Sequence, residues 1–227
     1  MRRLFLIIFG ISMASGMMAQ DLFSQAKEQA FNEQSDPDAV AIMDDVEAKY
    51  DAFSTIEVGF KLEMVEGDNS ESQEGRVFIK DDQYKLEMKE QDIICNGNTI
   101  WFHLKNQNEV QINNPDPEGG DLSPASMIKL YEQDMLYALI GEVKEDEKQV
   151  YHIEFKPKDR DSDFFKYRAS IDKNTKELTK VIAFGKDATR YIVSFKETIS
   201  NNALTDNFFT FDPSQFKDIH IEDLRIE

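Results

Sequence analysis

The sequence predicts an α+β protein, mainly β: one curved antiparallel sheet of about 10–11 strands, an incomplete β-barrel, covered by two or three helices. Three observations carry that expectation. In "IEVGFKLEMV", Ile56, Val58, Phe60, Leu62 and Met64 share one face, while Glu57, Lys61 and Glu63 share the other, the period of a half-buried strand. Asn96-Gly97 sits between apolar runs, the strongest short hairpin signal. Asp36-Pro37 and Ser123-Pro124 each pair a helix-capping side chain with a proline suited to a first turn.

Taken in order, Asp21 to Gln34 reads as a short polar helix with Leu22, Phe23, Ala26, Ala30 and Phe31 as its apolar set. A second helix starts at Asp36-Pro37, where Met43, Val46, Tyr50 and Phe53 recur at spacings of three and four. After the strand 56–64 comes a turn in "GDNSES", then strands "GRVFIK", "QYKLEM", "DIIC", "TIWFHLK" and "EVQIN". "NNPDPEGGD" breaks the sheet. "LSPASMIKLYEQDMLYALIG" reads as a helix with the stripe Met127, Ile128, Tyr131, Met135, Leu136 and Leu139. Strands resume at "QVYHIEF", "FFKYRASID", "ELTKVIAFG" and "TRYIVSFKE", and "NFFTFDP" and "DIHIEDL" close the chain. No repeat or low-complexity linker divides these elements.

The N-terminal "MRRLFLIIFGISMASGMMAQ" has two arginines, an apolar run and small residues ending at Ala19, the layout of a secretory signal peptide. Gly10, Ser12, Ser15 and Gly16 break the run, which is short of the ~20 residues that span a bilayer core. Residues 1–19 are therefore expected to be a cleaved leader and 20–227 a single exported domain, in the periplasm. Removing Arg2 and Arg3 takes 26 basic residues to 24 against 44 acidic ones, a net charge of −20. Nucleic acid and anionic membrane surfaces are excluded as partners on that balance, because phosphate binding needs clustered Lys and Arg. With one cysteine there is no internal disulfide, so the domain must fold on its core alone, and Cys95 is expected to be a buried, inert thiol.

Motifs for chemistry are wanting. His103, His152 and His220 lack ligand spacing, and "DRDSD" at 159–163 fails as a calcium loop, with Phe164 where glycine is needed and Ser170 at the twelfth position. No metal, cofactor or catalytic residue is expected. There is no nucleophile elbow, phosphate loop or dinucleotide fingerprint. What stands out is apolar bulk on both faces of strands such as "IWF" and "YIVSF", with 17 Phe and nine Met overall. One face meets the core; the other can face a second apolar space.

The order of these segments resembles the periplasmic outer-membrane lipoprotein carrier family, LolA, across nearly the whole mature chain. Gly75, Phe78 and Lys80 match its strand before a basic turn. Asn96, Gly97, Ile100, Trp101, Phe102 and His103 match its hairpin, and Phe209 and Phe211 its F-x-F segment. The resemblance implies a non-enzymatic, monomeric carrier of acylated lipoproteins from inner to outer membrane. Its partners would be an inner-membrane export complex and an outer-membrane acceptor. An envelope-stress sensor, or another lipid-binding protein on the same fold, is the second reading; a secreted hydrolase is the third. Where the family often has Arg-Pro, this chain reads "KDDQYKL", so Lys80 is the candidate for the switch that holds the lid helices. The Met-rich stripe reads either as an ordinary amphipathic helix closing one end of the sheet or as a lid, in which Met127, Ile128, Tyr131 and Met135 press on a cavity floored by Phe60, Leu62, Phe78, Leu86 and Trp101.

The leader is checked by intact mass of the exported protein, which should begin near Gln20; retention of Arg2 in the mature species sinks the cleavage reading.

Overall fold

A computed structural model describes residues 34–115 and 123–225. The leader and nearly all of the helix expected over Asp21–Gln34 lie outside the described residues. The described chain forms helix α1 (Pro37–Asp51), strands β1 (Ile56–Glu66), β2 (Asn69–Lys80), β3 (Gln83–Met88), β4 (Gln91–Cys95), β5 (Ile100–Leu104) and β6 (Glu109–Asn113), then helix α2 (Pro124–Ile128). Strands β7 (Met135–Glu145), β8 (Lys148–Pro157), β9 (Phe164–Asp172), β10 (Leu178–Gly185), β11 (Arg190–Ser200) and β12 (His220–Asp223) complete it. The twelve strands make one sheet, ordered β12-β6-β5-β4-β3-β2-β1-β11-β10-β9-β8-β7, which is not closed into a barrel. All pairings are antiparallel except β12 beside β6.

Helix α1 starts as its sequence dictates. The Asp36 carboxylate accepts from the Asp38 N–H at 3.0 Å, and Pro37 occupies the first turn. Ala39, Met43, Val46 and Tyr50 form the buried face, joining Ile56, Phe60, Leu86, Ile153, Phe155 and Val193 of the sheet in one core. The face of the sheet that meets this core is the inner face. Two contacts fix the helix to the strands. The Asp36 N–H donates to Tyr137 O at 2.7 Å, and the Tyr50 hydroxyl accepts from the Leu178 N–H at 3.1 Å.

Three segments differ from the sequence expectation. The helix expected over 122–141 stops at Ile128, gives a 3₁₀ turn at Leu130–Glu132, and becomes β7. Met135 and Leu139 fit a spacing of four, but Met135, Tyr137 and Leu139 also fit a spacing of two; pairing of Met135–Glu145 with β8 decides for the strand. "GDNSES" is mostly strand, because Gly67-Asp68 alone makes the turn, with Gly67 at a φ of 57°. "NFFTFDP" is not a strand but a 3₁₀ turn (Asp206–Phe209) within a strap that crosses the outer face. There Phe211 joins Ile94 and Val110 in a second, smaller core, flanked by Trp101, Phe216 and Ile219.

One row across the inner face leaves no room for a side chain. Gly75 pairs with Phe60 on one side and Met88 on the other. A β-carbon there would sit 2.5 Å from Glu87 O, 2.7 Å from the Phe60 ring and 2.8 Å from Met88 Cγ. Only glycine lets the Phe60 ring lie across the strand. Gly75→Ala is expected to lower stability by about 1–3 kcal/mol, the range for overpacking. A urea melt showing an unchanged midpoint would mean that the row has slack it does not display here.

Candidate functional site

The expected cavity residues divide between the two faces of the sheet. Phe60, Leu86, Met127, Ile128 and Met135 lie in the inner core, with Leu62 and Tyr131 partly buried against it. Phe78 and Trp101 lie on the outer face, so the sequence-based floor is corrected by two residues. The register gives the reason: Glu57, Phe78, Lys85, Ile94 and Trp101 form one cross-strand row, while Val58, Val77, Leu86 and Ile93 form the adjacent inner one. A one-residue error in reading the pleat moves a side chain to the opposite face. On the outer face Phe78 meets Phe208 of the strap edge-on at 5.0 Å, and Trp101 packs on the second core.

Lys80 is placed on the strap as well. Its Nζ lies 2.6 Å from Asp206 Oδ1 and 3.5 Å from Leu204 O. It therefore fastens the strap to the end of β2 rather than clasping the helices. Cys95 is buried, as expected, and its sulfur accepts from the Gly97 N–H at 3.4 Å inside the Asn-Gly turn.

Beneath α2 the inner face is filled. Met127, Ile128 and Leu130 are each no more than 2% exposed, and Tyr131 stacks on Tyr50 at 5.9 Å. Burial pushes both phenols well above their ordinary range, so both stay neutral and apolar in character. An open groove lies at the other end of β1. Its volume is about 640 Å³ and its apolar floor is Leu62, Met64 and Tyr191, with Glu71, Gln73, Glu74, Lys89 and Glu90 around it. Of these, sequence reasoning selected only Leu62 as a site residue. The signal for the rest was present: β1 keeps its apolar alternation out to Met64, while the facing residues of β2, Gln73 and Glu71, are polar. Met64 pairs with Tyr191 across the sheet.

Among the described residues no group of three or more His, Cys, Asp or Glu is placed to hold a metal ion. His152, Ser170 and Glu145 do meet on the outer face. The imidazole Nε2 lies 2.7 Å and the Ser170 hydroxyl 3.4 Å from the same Glu145 oxygen, and Lys180 Nζ lies 2.9 Å from the other. Burial alone would raise the Glu145 pKa, but the hydrogen bonds from Lys180 and His152 outweigh it and hold the carboxyl below its usual range. Hydroxyl and imidazole both engage the carboxylate, an arrangement of an ion-pair ladder rather than of a nucleophile and its base.

The profile of the family described as outer membrane lipoprotein carrier protein LolA matches residues 51–212. No curated protein matches the sequence. Among solved structures, an uncharacterized conserved protein from Thermus thermophilus is similar at a TM-score of 0.55 and 13% identity, over 82% of this chain and 99% of that one. A DUF1329 family protein from Desulfovibrio piger is similar at a TM-score of 0.50 and 12% identity, over 78% and 98%. At such identities the likeness is one of fold alone.

The burial of α2 makes a measurable statement about the lid. Ile128→Ala is expected to cost about 2–5 kcal/mol, the range for a buried aliphatic side chain. A loss well under 1 kcal/mol, read from denaturant midpoints, would show α2 standing off the sheet in solution.

Proposed function

The chain belongs to the outer membrane lipoprotein carrier protein LolA family, whose fold is one of binding and carriage, and on that premise we propose that it shields the aliphatic chain of a lipid or lipoprotein in the Leu62–Met64–Tyr191 groove. The single observation that carries this reading is an apolar floor left open at the far end of β1 from the helices. A volume of about 640 Å³ falls within the range of small-molecule sites. A buried methylene contributes roughly 0.8 kcal/mol, so a chain of about sixteen carbons gains on the order of 12 kcal/mol if wholly buried. That gain makes an apolar cargo portable through water. Delivery then needs an acceptor of higher affinity and no catalytic step by the carrier.

The finer assignment follows the family. The exported chain collects acylated lipoproteins from an inner-membrane export complex, crosses the periplasm as a monomer, and yields them to an outer-membrane acceptor. Among the described residues no helix is long and apolar enough to cross a membrane. The groove takes the first part of the cargo; Met127, Ile128, Tyr131 and Met135 act as the lid over any part that enters beneath α2. Because Lys80 pairs with Asp206, the strap is the element its charge holds in place. A lid release that depends on Lys80 would act through the strap.

Leu62 and Met64 are only partly buried, so a charge at either is tolerable for folding. Leu62→Glu and Met64→Glu should each weaken binding of the fluorescent apolar probe N-phenyl-1-naphthylamine by about tenfold or more, since burying one such side chain's contact area is worth roughly 1.5–3 kcal/mol. Melting temperatures should stay near that of the parent. Unchanged probe affinity in both variants removes the groove as the site. Transport itself is read by depleting the protein in its host: lipoproteins retained in the inner membrane support the carrier, and normal sorting leaves only a sensor or another lipid binder.

A further inference from the structure

We infer that the row Phe60–Gly75–Met88 is the stop at the inner end of the groove and sets the longest aliphatic chain that the protein holds, an inference that rests on reading the groove as a chain-binding site. On β1, on β2 and in the turn after β3, the lining ends next to this row. On β1 the innermost lining residue is Leu62, two positions from Phe60 and on the same face. On β2 the lining runs from Glu71 to Glu74 and halts before Gly75. Beyond β3 it begins at Lys89, directly after Met88. The register joins the three residues in one line: Phe60 pairs with Gly75, and Gly75 with Met88.

This line is closed as well as continuous. Phe60 is fully buried and Met88 is 6% exposed. The Phe60 ring and Met88 Cγ both approach the position of the missing Gly75 β-carbon to within 2.8 Å, so the two side chains converge over a bare stretch of backbone. Phe60 also pairs with Phe195 on β11, which extends the barrier to the neighbouring strand. Beyond it lies the filled core of Val58, Val77, Leu86, Met127 and Ile128. A chain entering over Met64 and Leu62 therefore runs into an aromatic ring and a methionine. Each methylene short of that wall adds apolar contact; each one past it has to stay in water or displace a packed side chain. Met88 is the adjustable part of the wall, because an unbranched thioether fills its space without fixing it.

The test is a chain-length series. n-Alkylphosphocholines of about eight to sixteen carbons, each below its critical micelle concentration, displace N-phenyl-1-naphthylamine from the full-length protein. In the parent, affinity should rise about fourfold per added methylene and then level off at one length. Met88→Ala removes three heavy atoms from the wall, so the levelling point should move out by about three carbons, with the slope and the short-chain affinities unchanged. Phe60→Leu, a milder change for folding, should move it in the same direction, and melting curves establish that each variant is folded. Ile153→Val, which opens space in the core on β8 away from the groove, should leave the levelling point where it was. The stop is overturned if the parent's affinity climbs through the whole series. It is equally overturned if folded Met88→Ala and Phe60→Leu level off at the parent's length. Failure of every chain to bind the parent would be a different result, removing the functional reading and this inference with it.

Discussion

Strand β1 is the member on which everything else hangs. It pairs along its length with β2 on one side and β11 on the other, from Ile56 opposite Ser200 to Val65 opposite Arg190. The sheet is otherwise two separate meanders, β1 to β6 and β7 to β11, and the β1–β11 pairing is their seam. A register shift between Val58 and Phe60 bends this seam, and the Phe60 ring sits just after it, over Gly75. The position of the core, the end of the groove and the placement of the two helices all follow from that pairing. A seam of long-range contacts costs loop-closure entropy before it returns any stability, so it is the slow part of such a fold to assemble.

The sheet is unusual in burying residues on both faces with different means. The inner face beneath α1 and α2 is apolar, packed by Met43 and Tyr50 of α1 and Met127 and Ile128 of α2. The Tyr167 phenol, pushed by burial to about 12, belongs to the same environment. Over β2 to β5 the outer face is covered by the strap instead. Lys85 Nζ lies 4.6 Å from the centre of the Phe208 ring, Phe211 stacks on Phe216 at 5.1 Å, and His103 lies 4.6 Å from Phe216. Farther across, on β8 to β10, the outer face is solvated and carries ion pairs: Glu154 takes both Lys166 and Arg168. Burial would raise the Glu154 pKa, yet the hydrogen bonds from Arg168 and Lys166 hold it low.

The parts of this fold that were legible in the sequence are those in which local chemistry and tertiary need agree. The cap of α1, the alternation of β1 and the Asn-Gly hairpin each follow from a handful of adjacent residues. Strand β7 was not legible, because Met135 and Leu139 satisfy both a helical and an extended period and only the distant strand β8 chooses between them. The strap reads as a strand for a related reason: Phe208, Phe209 and Phe211 are good strand formers, but the sheet offers their rings an outer face, and no free edge there to pair with. The proposed groove is legible only in part. Leu62 follows from the alternation of β1, whereas the sequence does not place Phe78 and Trp101 on the outer face, because a strand with bulk on both faces carries no local sign of which face is inner. Met64 and Tyr191 were visible as apolar positions, but their openness depends on how far the helices reach, which no short stretch of sequence encodes.

An open sheet of twelve strands has two edges, and each exposes unpaired N–H and C=O groups that can template the addition of foreign strands. Here both edges are blunted. On β7 the Asp36 N–H and the Ser35 hydroxyl occupy Tyr137, a bulge follows at Leu139–Gly141, and Glu142 and Lys144 stand on the remainder. On β6 the chain's own last strand lies parallel, with all four of its side chains exposed, and the His220 and Leu224 N–H groups donate to Asn108 O and Ile112 O at 3.0 and 2.8 Å. Strand β12 adds no core at all; what it adds is colloidal safety. A sheet this open carries the standing hazard of fibre growth, and an edge strand of four residues with exposed side chains offers little length along which copies could pair edge to edge.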